Sequence, residues 1–453
     1  MFQIIRQLFG EQRVTLPCYL CMLYSLVNPL DFRFMGPRMT GGEVVAIFGL
    51  FLLLPQIGRV NFKPLLLPFF VLALYALGVI VSDLLYHQNY MELFMRGFAK
   101  PMFIGMIALF FYICFSLAPR SILFYLYALP FAILIYVIRP PKDELMESTS
   151  QYAQFVTQFG PIFILWARFI GATLYAKSKL LASCAFFGIA PIMAMFGARS
   201  DALLCFMVGG VFVSLAFLKD PKRPRIHLSK TKLAAFAMAG MILLSAFYAF
   251  YVYAAPRGIL GEMQQKKFTA QTQTEYGASP IGLVLAGRTE TVALLIAGIE
   301  NPIFGLGSWP VLSDYYYKAV AFTGDAKAIK RLLADGGGGR SSGHSRILGA
   351  WVTAGIFGAV FWLYLAFIVF KVMLRLIRDE TLLSAWYIPT CIFFYWHWAF
   401  SPIGTGARQG AGIMIALYAA FLATNSIPQV RMRFYRECRL PGTQSIGSQM
   451  RRR

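Results

Sequence analysis

Charge is scarce in this chain, and negative charge scarcest. Only 14% of the 453 residues are charged, and Asp and Glu number 20 against 42 Lys and Arg. A soluble domain of this length needs a polar shell that such a composition does not supply. With 58% hydrophobic residues and a mean hydropathy of +0.62, the solvent for most of the surface is a bilayer. Histidine is nearly absent, with four in the chain. The segments that carry most polar chemistry hold no cluster of His, Asp and Glu at ligand spacing, so no metal and no other cofactor is expected. The glycine run DGGGGRSSG at 335–343 is followed by no Gly-Lys-Ser/Thr, which excludes an ATP-binding phosphate loop. No small-residue cleavage site follows MFQIIRQLFGEQR, so no cleavable signal peptide is expected. Seven cysteines are present, but none lies in the long hydrophilic segment where an oxidising compartment would favour a disulfide. Cys18 and Cys21 form a CxxC without a second pair, and read as small helix residues.

What is there is apolar sequence in runs. About twelve are long enough to cross a bilayer as helices, centred on 16–30, 44–57, 65–86, 101–118, 121–138, 153–175, 180–196, 202–218, 232–255, 347–370, 383–400 and 409–425. The fold class expected is therefore an all-α integral membrane protein of about twelve spans. Its organisation is 1–255 with nine helices, 256–345 as a loop domain with short helices, and 346–453 with three helices and a basic tail. With the N-terminus inside, the tails and the loops after even-numbered helices hold more than half of the basic residues and a quarter of the acidic ones. The strongest block is KDPKRPRIHLSKTK at 219–232. The net charge of +22 is thus mainly a topology signal, because basic residues scattered over separate loops form no groove for nucleic acid.

The long segment 256–345 lies on the outer side in this topology. TETVALLIAGIE at 289–300 has helical apolar spacing, and NPIFGLGSW at 301–309 reads as a turn with aromatic anchors. Tyr315, Tyr316 and Tyr317 suit either a sugar-stacking face or an interfacial belt. Cations crowd the same side: Arg199 in FGARSDALL, Arg288 in AGRTE, Arg340, His344 and Arg346 in GRSSGHSRILG, and Arg408 in GTGARQG. Guanidinium groups match phosphate oxygens two at a time, so such a set beside one histidine suits a diphosphate. Interface snorkelling, or pairing with Asp201, Glu290 or Asp335, accounts for the same charges. Arg168, inside PIFILWARFIGATLYA, is a costly intramembrane charge and for that reason a functional candidate, or it snorkels toward the cytoplasmic end of its helix. His87, His227 and His397 read as packing or interfacial residues.

His344-Ser345, nine residues, then Gly355-Ile356-Phe357-Gly358 resembles the H-[NSQ]-x9-G-x-x-G pattern of the O-antigen ligase superfamily. GRTE with Arg288, followed by NPIFGLGSW, is similar to that family's G-R…P-x-x-G-x-G stretch, and RSDALL at 199–204 to its earlier R-S motif. The layout of about twelve helices with a large outer loop between the ninth and tenth also matches. The Trp common shortly after the family's G-R is replaced here by Thr or Val.

The resemblance implies a metal-independent, GT-C-like glycosyltransferase of the bacterial inner membrane, with cytoplasmic termini and a periplasmic active site. Its donor would be a glycan on undecaprenyl diphosphate and its acceptor a sugar hydroxyl of lipid A core. Polymerases of repeat units and protein O-oligosaccharyltransferases share these motifs and remain alternatives, and a polytopic transporter or flippase remains one of another class. His344 would take the acceptor's proton. Arg288 and Arg199, with Arg340 and Arg346 in reserve, would bind the diphosphate, and direct attack would invert the anomeric centre. The partners expected are the lipid-linked donor, the glycan or core acceptor and membrane lipids.

Overall fold

In a computed structural model of the chain the described residues are 14–33, 38–86, 91–138, 151–175, 177–195, 199–218, 230–272, 277–279, 289–323, 345–379 and 382–426. Runs of Leu, Ile, Val and Phe uninterrupted by charge satisfy their backbone internally as helices, the form a chain must take in lipid. Along the first nine runs lie α1 (Leu16–Val27), α2 (Gly41–Leu53), α3 (Leu66–Tyr86), α4 (Met91–Leu117), α5 (Ser121–Ile138), α6 (Gln151–Tyr175), α7 (Lys179–Met195), α8 (Arg199–Leu218) and α9 (Lys230–Ala254). The hydrophilic segment contributes α10 (Glu262–Thr272), α11 (Thr289–Glu300) and α12 (Ser313–Thr323). The last three runs form α13 (Arg346–Asp379), α14 (Leu382–Phe400) and α15 (Thr405–Ser426). Among the described residues this membrane protein is all-helical apart from one small hairpin. Six helices among the described residues are long and apolar enough to cross a membrane: Gly41–Arg59, Lys63–Tyr86, Met91–Leu117, Ser200–Phe217, Arg346–Asp379 and Gly406–Ala423. Phe48, Phe51, Leu66 and Phe70 stand exposed along α2 and α3, an apolar surface that only lipid tolerates.

The hairpin joins α1 to α2. Strands β1 (Asp31–Arg33) and β2 (Arg38–Thr40) pair antiparallel, with Asp31 opposite Thr40. Thr40 then caps α2: its hydroxyl accepts from the Glu43 amide at 3.2 Å, and Glu43 accepts from the Thr40 amide at 2.8 Å. Aromatic rings fill the middle of the bundle, with Tyr24 4.8 Å from Phe111 and Tyr75 stacked on Phe361 at 5.2 Å. Cys21 packs against Cys114 in this core, as expected of a small helix residue. A second, smaller core gathers Ala293, Leu294, Ala297, Leu312, Tyr316, Ala319 and Val352, so α11 and α12 are built onto the start of α13.

The tenth apolar run, expected as one helix, is two limbs. Ala354 (φ −131°, ψ 16°) and Gly355 (φ 61°, ψ −152°) break α13. The first limb, 346–353, folds back on the second, 356–379. Arg346 lies 5.9 Å from the ring of Trp362, a separation of about 24 Å in a straight helix. A Cβ on Gly358 would strike the carbonyl of Ala350, so the limbs cross where both residues are small. The first limb thereby joins the core of α11 and α12.

Candidate functional site

The segment NPIFGLGSW is threaded between α3, α4 and the break in α13. Two of its backbone groups take the place of helix bonds lost there. Leu306 donates its amide to the Val352 carbonyl at 2.6 Å, and Ile356 donates to Ile303 at 3.2 Å. A Cβ on Gly305 (φ +72°) would press on the Val352 carbonyl, and one on Gly355 would overlap the Ile303 carbonyl. Neither position has room for a side chain, and both have positive φ. Trp351 fixes the outside of the knot by donating Nε1 to the Pro302 carbonyl at 3.1 Å, and its ring lies against Gly298.

One face of α3 grips the same loop. Gly78 abuts the Ala354 carbonyl, and Ser82 donates to the Phe304 carbonyl. Asp83, buried, accepts from Ser308 twice: from the amide at 2.5 Å and from the hydroxyl at 2.6 Å. From α4, Gly97 leaves just enough space for Ser308. This grip holds Trp309 at φ 55°, the one positive φ outside glycine among the described residues, a conformation costing roughly 1–2 kcal/mol.

Cations surround that strained tryptophan. Lys100, 6% exposed, has its Nζ 5.6 Å from the Trp309 ring, and Arg96 has its Cζ 6.0 Å away. Arg96 also meets Glu92 at 2.5 Å on the exposed side of α4. Among the described residues Lys100 has no hydrogen-bond acceptor, and Asp83 is already engaged through both oxygens. The Trp309 Nε1 is likewise buried without a partner. Sequence reading missed Lys100 and Asp83. The signal was a charge at the edge of each apolar run, but starting the fourth run at Pro101 leaves Lys100 outside it.

Of the residues expected from sequence, Arg346 is described fully. It heads the short limb of α13 half-buried, with Nε buried and lacking a partner. Before it, Ser345 is completely buried and caps the limb, its hydroxyl 3.3 Å from the Leu348 amide. Arg199 is the first residue of α8, and its side chain lies outside the described residues. His344, Arg288 and Arg340 also lie outside them, as do His87 and His227. The backbone immediately after His344 and Arg288 begins at Ser345 and at Thr289 of α11.

Arg408 is engaged elsewhere. Its guanidinium grips Glu43 at 2.5 and 2.7 Å, donates to the Arg38 carbonyl, and covers the Phe103 ring at 4.7 Å. Beside it Gln409 and Asn28 exchange hydrogen bonds at 2.7 and 3.0 Å. This buried ion pair locks the hairpin to α4 and α15, so Arg408 is no free phosphate ligand. Arg168 lies 4.8 Å from the Phe393 ring, within electrostatic range of Asp201 and Cys205 at the start of α8, and its Nε has no partner among the described residues. Of the three tyrosines, Tyr316 is buried, Tyr315 accepts from Asn301 at 3.0 Å, and Tyr317 alone is largely exposed.

Comparison of the chain with protein-family models, curated proteins and solved structures finds no match.

Proposed function

We propose that the protein is a glycosyltransferase resembling the O-antigen ligases. It has about twelve spans, cytoplasmic termini and a GT-C-like site on the periplasmic face of a bacterial inner membrane. The positive-inside distribution of charge supports an outer position for the long hydrophilic segment. The observation that carries the proposal is the mutual lock between the two glycine motifs. Gly305 of P-x-x-G-x-G and Gly355 of G-x-x-G each occupy a place where the other segment's backbone leaves no room for a Cβ. Those motifs are the ones that resemble the family. The lock gives a physical reason for their glycines.

The same knot supports a convergence of chemistry. α11 and the first limb of α13 both run their C-terminal ends into it, and they share one apolar core. Helices packed this way send their N-termini out on the same side. Arg288 precedes one N-terminus, and His344 and Arg346 stand at the other. A lipid diphosphate is already an activated leaving group, so ATP is unnecessary outside the cell. In the reaction the acceptor hydroxyl oxygen bonds to the anomeric carbon as the bond to the diphosphate oxygen breaks. His344 takes the hydroxyl proton. Arg288 and Arg199, with Arg340 and Arg346 nearby in sequence, balance the charge released onto the diphosphate.

Purified protein in nanodiscs, given a glycan on undecaprenyl diphosphate and a lipid A core acceptor, should attach one glycan per acceptor. A ladder of lengthened lipid-linked chains without acceptor would establish a polymerase instead. No product, together with movement of the lipid-linked glycan across a sealed vesicle, would establish the transporter class for which the intramembrane Arg168 is the supporting observation.

A further inference from the structure

The donor groups gathered at Trp309 lack the one thing that would complete them. Lys100 is buried yet has no acceptor among the described residues. The carboxylate best placed to pair with it, Asp83, is turned onto the Ser308 amide and hydroxyl. Trp309 keeps a buried, unpartnered Nε1 while held in a strained backbone conformation. Arg96 stands by the same ring, its Cζ 6.0 Å from the centroid. Asp83 acts on the ammonium through space but does not bond it, and a buried ammonium without a hydrogen-bond acceptor is costly. The groups facing the ring are donors, two of them cations, and among the described residues only Arg96 has an acceptor, Glu92 on the exposed side of α4, so the partner they would take is an anion rich in acceptor oxygens.

Depth narrows its identity. Lys100 stands about 25 Å along α4 from Leu117, at about 1.5 Å per residue. The hydrocarbon core of a bilayer is about 30 Å thick, so the ammonium sits at the headgroup boundary opposite the Leu117 end. A phosphate esterified to a membrane-embedded chain is the acceptor-rich anion found at that depth.

From this geometry we infer that Lys100, Arg96 and the Trp309 Nε1 form a binding site for the phosphate group of a lipid, with Lys100 as its central ligand. Taking that lipid as the isoprenyl diphosphate donor rests on the transferase proposal, whereas the anion site itself does not. Asp83 and Ser308 are positioning residues that hold the Trp309 ring beside the lysine.

The test uses the full chain in phosphatidylcholine nanodiscs and labelled undecaprenyl diphosphate, with phosphatidylglycerol and inorganic pyrophosphate as competitors. Lys100→Met should weaken binding about 10- to 100-fold, the loss of a charge-assisted contact. Trp309→Phe keeps the ring and should weaken binding about 2- to 10-fold. Competition by pyrophosphate identifies a diphosphate site, and equal competition by phosphatidylglycerol identifies a general phospholipid headgroup site. Either result upholds the anion site. Wild-type affinity in Lys100→Met, or no binding of any probe by the wild type, would overturn it. Glycan transfer separates the two proposals. Normal transfer with normal binding in Lys100→Met sinks this site alone, and binding lost on Lys100→Met in a protein that transfers no glycan sinks the transferase alone.

Discussion

Gly355→Ala tests the knot on which the site is built. The backbone at φ 61° and ψ −152° lies in a region essentially restricted to glycine, so an alanine there costs about 1–3 kcal/mol before any contact is considered. The added Cβ also overlaps the Ile303 carbonyl and crowds the Phe304 amide. Those are backbone atoms, and they move only if 301–309 moves. Moving it breaks the Ile356 to Ile303 and Leu306 to Val352 hydrogen bonds, each worth about 0.5–1.5 kcal/mol. The local cost is therefore about 2–6 kcal/mol, concentrated where the loop meets the break. Hydrogen exchange in nanodiscs should show protection of 301–309 and 346–353 falling about 10²–10⁴-fold, with α5 and α15 unchanged. Gly188→Ala is the control, because a Cβ there meets nothing within 4 Å. Protection in Gly355→Ala equal to that in Gly188→Ala would refute the knot.

Three further outcomes follow from the same geometry and charge. Arg408→Ala leaves Glu43 buried and unpaired, so stability should fall by about 3–5 kcal/mol in a detergent melt, while donor affinity per folded molecule stays unchanged. Single cysteines placed at Gly337 and in 219–232 should be labelled from opposite sides of the membrane, and same-side labelling would end the topology. Glycan transfer should survive prolonged EDTA treatment, and loss restored by one divalent ion would require a metal in the mechanism.

Helix positions were legible because an apolar run of about 20 residues has one way to satisfy its backbone in lipid. The hairpin at 31–40 was not, since three-residue strands carry no measurable alternation. Gly355 hid its break for a related reason. Glycine is common inside membrane helices, and only the approach of Ile303 distinguishes a hinge from a packing position. Arg408 reads as a free cation until Glu43, 365 residues away, is brought against it. Lys100 was hidden by Pro101: a proline suits the first turn of a helix, yet α4 begins at Met91 and carries Pro101 inside it. The motif segments 301–309 and 355–358 were visible as glycine spacing, but their contact was not, because spacing holds no information about which distant backbone occupies the missing side chain's place.

The measurement that bears most directly on the proposed transferase compares donor affinity and single-turnover rate in His344→Ala and Arg288→Ala, each against wild type in matched nanodiscs. His344→Ala should bind donor normally while turnover falls by roughly 10²–10⁴, because only the proton acceptor is gone. Arg288→Ala should lose both affinity and rate, with Arg288→Lys restoring part, since an ammonium keeps the charge without the two-pronged geometry. Wild-type turnover in His344→Ala, or wild-type affinity and rate in Arg288→Ala, would contradict these roles.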